Sequence, residues 1–330
     1  MQAPRFWSNP PDRPGLAARL LAPLAWVWAA VTRRRLARPP AARLAAPVVC
    51  VGNVTAGGAG KTPVVIALAQ RLAAQGVAVH VVSRGHGGSL AGPVRVDPLR
   101  HSAAEVGDEP LLLAAFAPVW VARDRAAAGR AAEAAGAEVI LMDDGLQNPD
   151  LAQDLALVVV DAGFGFGNGR VIPAGPLREP VAAGLARAGL VVLVGEPADR
   201  AAFRAAWPAL GLPVAEARLA PLATGMDWTG LKVLAFAGIG RPEKFYATLR
   251  DVGAEIVAAR SFPDHEPFEP RILARLETEA AKLGAQLVTT EKDAVRLPKE
   301  FRAKVLVLPV RLELEDWAPV DAALARRASG

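Results

Sequence analysis

PVVCVGNVTAGGAGKTPVVIALAQRL, running from Pro47 to Leu72, is the stretch on which the reading of this chain turns. Val48, Val49 and Val51, with Cys50 among them, predict a buried strand. The chain then turns through Gly57, Gly58 and Gly60 and resumes at Lys61 with apolar residues at Val65, Leu68, Ala69 and Leu72, a helical spacing. Strand, glycine loop, Lys-Thr and helix form the context of a phosphate-binding P-loop. Glycines let backbone N–H groups turn inward around an anion, and the helix N-terminus adds partial positive charge. The candidate nucleotide-binding residues are therefore Thr55, Ala56, Gly57, Gly58, Ala59, Gly60, Lys61 and Thr62, with Lys61 on the β/γ-phosphates and the Thr62 hydroxyl on Mg²⁺. Thr55 stands where the strict pattern carries Gly, and Pro63 follows the motif in the first turn, where no intrahelical N–H bond is lost. The bland alternative is a Gly-rich turn in an ordinary α/β unit; GGAGKT between a good strand and a good helix favours the nucleotide site.

Around this unit the chain alternates strands and helices. AVHVV, APVWVA, AEVILMDD, DLALVVVDA and AGLVVLVG are apolar runs separated by helical or Gly-rich segments. Strands apolar throughout, alternating with helices, predict a mostly parallel sheet covered on both faces. The pattern loosens around residues 213–230, and a second α/β unit follows, with KVLAFAGIG, AEIVAARSF and AQLVTT as strands. The expected organisation is an N-terminal segment 1–43, a P-loop core 44–212 and a smaller second α/β lobe 213–330.

Composition excludes several classes. At 330 residues and 52% hydrophobic content the chain has ample core. One cysteine, Cys50, permits no intrachain disulfide, and four histidines do not cluster at ligand spacing, which argues against zinc. The compartment reads as reducing. Residues 1–43 hold eight arginines against Asp12 alone, +7 of charge in a chain whose net is +5, so the body sums to −2 and does not suit nucleic acid. Beside these arginines, LLAPLAWVWAAV (Leu20–Val31) is too short to span a bilayer, which needs roughly 20 apolar residues. Its basic flank follows the apolar run, unlike a signal peptide. The segment is expected to lie on an anionic membrane surface, the alternative being a core-packed helix with a solvated basic end.

A hydrophobic strand ending in Asp143-Asp144 has the form of a Walker B segment, in which one Asp holds Mg²⁺; the alternative is a pair of cap or turn acids. Phosphoryl transfer to a hydroxyl also benefits from a base, for which Asp108 and Glu109 in VGDEP and Asp264 and His265 in FPDHEPF are available. Spacing alone does not join Asp108 to His265.

Taken in order, GNVTAGGAGKTP, SRGHGG, VGDEP, DDGLQN, IPAGPLREP, FPDHEPF and TTEKDAVRL resemble the motifs of the tetraacyldisaccharide 4′-kinase family, over most of the chain from Val51 to Arg296. The resemblance implies an ATP- and Mg²⁺-dependent lipid kinase. Its acceptor is the 4′-hydroxyl of a tetraacyl glucosamine disaccharide 1-phosphate, and its product is lipid IVA in lipid A biosynthesis. It also implies a two-lobed P-loop fold with an N-terminal helix on the cytoplasmic face of the bacterial inner membrane. No obligate protein partner is evident in the sequence. By position it implies Asp108 and His265 as a catalytic pair, Asp143 and Asp144 near Mg²⁺, Glu179 as a further acid of that network, and Arg178 as a cation for substrate or nucleotide phosphate. A sugar-phosphate substrate needs a cationic pocket, and Arg84 and Arg178 lie in Gly-rich loops. The sequence departs from the family pattern at Asn148 and Glu266, where His is common, and at His86, where Tyr is frequent. A membrane-surface P-loop ATPase switch without a small-molecule acceptor remains the alternative. The second lobe with FPDHEPF discriminates, because a switch has no evident use for it.

Overall fold

The computed structural model describes residues 4–264 and 266–328. A 3₁₀ turn (Arg5–Ser8), α1 (Leu16–Leu20) and α2 (Ala22–Leu36) precede β1 (Val48–Gly52), whose five residues are all buried. Gly60, at φ 86°, makes the left-handed turn that starts α3 (Lys61–Ala74), and the helix buries Val64, Val65, Leu68, Ala69 and Leu72. There follow β2 (Val79–Ser83), β3 (Val94–Arg95), α4 (Ala103–Val106), α5 (Asp108–Leu113), β4 (Val119–Val121), α6 (Arg125–Ala134), β5 (Val139–Asp143), β6 (Leu155–Asp161), α7 (Val181–Leu185), β7 (Leu190–Val194), α8 (Pro197–Ala206) and β8 (Val214–Pro221). Asp124 caps α6 by accepting the Ala126 N–H at 2.8 Å. The remaining elements are β9 (Lys232–Ala237), α9 (Pro242–Asp251), β10 (Glu255–Ser261), α10 (Pro270–Leu283), β11 (Gln286–Thr290), α11 (Glu291–Ala294), α12 (Lys299–Arg302), β12 (Val305–Leu308), β13 (Val310–Leu314) and α13 (Ala318–Ala328).

Nine strands form one sheet in the order β13-β8-β7-β6-β1-β5-β2-β4-β3, antiparallel only at its two edge pairs. β1 sits near the middle, between β5 and β6, because its Val-rich run is apolar on both faces. One face buries α3 and α13 against Val49, Val51, Leu141 and Leu157; the other buries Cys50, Ile140, Met142 and Val158 beneath α6 and α2. The expected doubly covered, mostly parallel sheet is present. A second sheet, β10-β9-β11-β12, is wholly parallel and has helices on both sides.

The division expected at residue 213 differs from the sheet membership. β8 pairs with β7 in the large sheet, and after β12 the chain returns so that β13 pairs with β8 and α13 packs on the same sheet. The small sheet is thus confined to residues 232–308. The physical reason is that β8 and β13 are edge-ward strands buried only in part, at Ala215, Ala217 and Ala220 in β8 and at Leu312 in β13, so they lack the continuous apolar run of the inner strands.

Helix α2 docks through Leu21, Ala25 and Ala29 against the large sheet's core. Its opposite face leaves Leu24, Val27 and Val31 exposed, in line with Leu20 just before the helix and beside Trp26, which is 77% exposed. One side of this helix is thus packed on the core, and the other exposes apolar side chains. No helix among the described residues is long and apolar enough to cross a membrane.

Candidate active site

The glycine loop leaves the carboxyl end of β1, where open α/β sheets bind ligands. It is held from the far side by the loop before α7: Thr55 bridges Leu177 antiparallel, the Ala56 N–H donates to Pro176 O at 2.7 Å, and the Arg178 N–H donates to Val54 O at 2.8 Å. Asn53 Nδ2 reaches Thr55 Oγ1 at 3.3 Å and Gly57 O at 3.4 Å. Lys61 Nζ donates to Asn53 Oδ1 at 3.4 Å and lies 3.7 Å from Asp144 Oδ1. The loop residues Thr55 to Thr62 thus end in one cation at the start of one helix, its ammonium turned to Asn53 and Asp144.

The acid pair is set beside this loop by strand register, with Val51 opposite Asp143. Asp143 is 2% exposed and its Oδ1 has no hydrogen-bond partner. Burial, then the charges of Glu109 and Asp144, push its carboxyl up to about 7. Asp144 behaves oppositely. Burial raises it, but Lys61 and Arg178 outweigh burial and bring it down to about 2. Its backbone is in the left-handed region at φ 48°, costly for a non-glycine residue and sustained only when neighbours hold it. Arg178 does so with a two-pronged grip, Nη1 to Oδ1 at 2.7 Å and Nη2 to Oδ2 at 3.1 Å. Arg178, expected as a phosphate or substrate cation, is therefore engaged with Asp144.

Glu179 is 1% exposed, and its Oε1 accepts from Arg187 at 2.7 Å and from Gln147 at 2.8 Å. No group of three or more His, Cys, Asp or Glu arranged to hold a metal occurs among the described residues. Asp144 and Glu179 are linked through Arg178 and Gln147, while Asp143 stands beside them on β5. Arg84 is exposed.

Asp108 opens α5 and is 5% exposed. Gly107, at φ 91°, is needed there, because a Cβ would lie 2.8 Å from His86 O; this approach packs VGDEP on SRGHGG. From the other sheet, Lys292 at the start of α11 reaches Glu109 Oε1 at 3.3 Å, Asp264 Oδ1 at 3.4 Å and Asp108 Oδ2 at 4.0 Å. Burial pulls its ammonium down, but Glu109, Asp108 and Asp264 outweigh that and hold it above its ordinary value. Arg296 Nε lies 3.9 Å from Asp108 Oδ2 and the guanidinium also pairs with Asp293. Beside Asp108 opens a cavity of about 1070 Å³, lined by His86, Phe116, Trp228, Arg296 and Leu306 among others. His265 lies outside the described residues; its neighbour Asp264 faces the Asp108 loop through Lys292.

Three participants escaped the sequence reading: Gln147, Lys292 and the Asp161 group. Asp161, at the carboxyl end of β6, binds Arg241 at 2.8 Å and Lys244 at 2.7 Å, both on the α9 side of the small sheet. Lys292 stood inside a motif, TTEKDAVRL, to which no role was attached. Asp161 ended an apolar strand next to β1 in space, and that adjacency is invisible before the strand order is known.

A glycine loop after the central strand, with an acid pair on the neighbouring strand, defines a protein of the P-loop kinase class. A family model described as tetraacyldisaccharide-1-P 4′-kinase matches residues 17–329, and the chain belongs to that family. The tetraacyldisaccharide 4′-kinase of Dinoroseobacter shibae is 63% identical over 326 residues, covering 98% of this chain and 97% of its own. That of a Jannaschia species is 55% identical over 325 residues, covering 98% of each. The crystal structure of LpxK from Aquifex aeolicus in complex with ATP superposes with a TM-score of 0.74 at 25% identity, over 94% of this chain and 99% of that one.

Proposed function

We propose that the chain transfers the γ-phosphoryl group of ATP to the 4′-hydroxyl of a tetraacyl glucosamine disaccharide 1-phosphate. The acceptor oxygen attacks the γ-phosphorus, the bond from that phosphorus to the β,γ-bridging oxygen breaks, and ADP leaves. The hydroxyl proton passes to Asp108, acting with His265. Lys61 and the loop N–H groups stabilise charge on the transferring group. The observation that carries the reading is the contact of Lys292 with Asp108 and Glu109 across the two sheets. It sets the base candidate where the second lobe meets the cleft, an arrangement an ATPase switch does not require.

The residues present fit Mg²⁺. Asp143 Oδ1 is buried without a hydrogen-bond partner beside the loop, and Thr62 stands in the first turn of α3. This ion takes one or two carboxylates and leaves other positions to phosphates. Thr62 and Asp143 would hold it, with Asp144 beside them, and it would neutralise phosphate charge there. Glu179 serves the network from further out, through Gln147.

The exposed stripe of Leu20, Leu24, Val27 and Val31, followed by exposed Arg33, Arg34 and Arg35, supports peripheral attachment to an anionic membrane surface, the cytoplasmic face of the inner membrane. A lipid acceptor is presented there. The test is ATP consumption with and without the glucosamine disaccharide lipid, with the new phosphate located on the product. Stimulation by the acceptor and a 4′-phosphate are expected, and Lys61→Ala abolishes both. Acceptor-independent hydrolysis alone would return the switch reading.

A further inference from the structure

Two hydrogen bonds leave helix α2 for the site, and both end on residues that hold its acids. Trp28 Nε1 donates to Arg178 O at 3.1 Å, and Arg35 Nη2 donates to Gln147 O at 3.3 Å. The Arg178 side chain grips Asp144, and its Nη1 also donates to Gln147 Oε1 at 3.2 Å. Gln147 Nε2 in turn donates to Glu179 Oε1 at 2.8 Å and to Asn53 O at 3.0 Å, the residue that also receives Lys61. One side of the helix is thus bonded into the frame of the phosphate site while its other side exposes Leu24, Val27 and Val31. Trp28, 48% exposed, lies between the two.

We propose that Trp28 and Arg35 are positioning residues that couple seating of α2 on a lipid surface to the placement of Arg178 and Asp144 at the phosphate site. The inference rests on the membrane-surface reading of α2 but not on the identity of the acceptor. Asp144 occupies a backbone conformation that its surroundings must maintain, so a change in the Arg178 frame is felt there first. In the free protein α2 is held by a short apolar face with few large side chains, Leu21, Ala25 and Ala29. Immobilising its outer face in a lipid headgroup layer fixes the ends of both hydrogen bonds. Coupling of this kind is reciprocal: a surface that orders the site tightens nucleotide binding, and nucleotide tightens attachment.

The experiment measures ATP affinity of the full chain with and without anionic phospholipid vesicles that contain no disaccharide lipid. Co-sedimentation is recorded first. In the parent, vesicles are expected to tighten ATP binding by about 5-fold, at the low end of ordinary coupling. Trp28→Phe keeps the ring and deletes the N–H; it is expected to bind vesicles as the parent does yet lose the tightening. Arg35→Gln should reduce it in part. An ATP affinity in the parent that ignores vesicles would overturn the proposal, as would a Trp28→Phe variant tightened like the parent. Failure of the parent to co-sediment would overturn it together with the membrane reading. Whether the disaccharide is phosphorylated is a separate result, so failure of the acceptor assignment is told apart from failure of the coupling.

Discussion

Lys292 Nζ stands 4.0 Å from Asp108 Oδ2, joining the small sheet to the loop that opens α5. The same ammonium serves Glu109 and Asp264, so three carboxylates gather on this lysine, with Arg296 also near Asp108, at a site where the lysine side chain is 21% exposed. Removing it leaves like charges facing one another in a poorly solvated cleft. Lys292→Met is therefore expected to cost about 2 kcal/mol of stability in urea unfolding, below the full penalty for a buried pair because some solvent reaches it. Turnover should fall at least 10-fold, with partial recovery in Lys292→Arg. Unchanged stability and turnover in Lys292→Met would mean that the bridge is incidental.

The proposed base gives a prediction of a different kind. If Asp108 and His265 act as one unit, Asp108→Ala and His265→Ala each lower kcat by about 100-fold or more, the scale of general base catalysis. The double variant should be little worse than the poorer single one, because groups acting together are non-additive. ATP affinity should change little, since neither residue belongs to the glycine loop. Losses that multiply in the double variant would assign the two residues separate roles.

Asp143 should show a trade between stability and activity. Below its ordinary value of 3.8 the carboxyl is protonated in folded and unfolded chains alike, and contributes no pH dependence. Between that value and about 7 the unfolded chain has released the proton and the folded one keeps it, so stability declines as pH rises and levels off above about 7. Asp143→Asn lacks this decline. Without metal and nucleotide, its Tm is expected to match the parent near pH 4 and exceed it at pH 8, while kcat falls by about 100-fold. A Tm difference independent of pH would show that Asp143 is ionised in the fold.

For the outer face of α2, Leu24→Ser with Val27→Ser and Val31→Ser should weaken vesicle binding. Full burial of such side chains contributes about 1.5–3 kcal/mol each, and seating in a headgroup layer recovers part of it. High salt should weaken the parent's binding as well, through Arg33, Arg34 and Arg35. The three positions are exposed, so folding should be unaffected. Equal co-sedimentation of parent and variant would return α2 to a role in packing alone.

The run from Val48 to Ala74 determined its own structure and, through it, the fold class. A strand apolar on every residue must be central, a glycine loop with Lys-Thr must turn into a helix, and each feature is written in neighbouring residues. Asp143 could be placed at the mouth of the sheet for the same reason, as the end of another continuous apolar strand. What local pattern could not supply was pairing across the chain. β8 and β13 bury only a few residues each, so their return to the large sheet had no distinct signature and was decided by which edge remained to be covered. Charged side chains carry still less positional information, because a carboxylate or guanidinium is satisfied by any opposite charge that packing brings near. Arg178, expected as a cation for substrate or nucleotide phosphate, pairs with Asp144; Lys292 found Asp108 from the far lobe; Arg241 found Asp161. Sequence offered most of the candidate groups, Gln147, Lys292 and Asp161 excepted, and tertiary packing decided which of them touch.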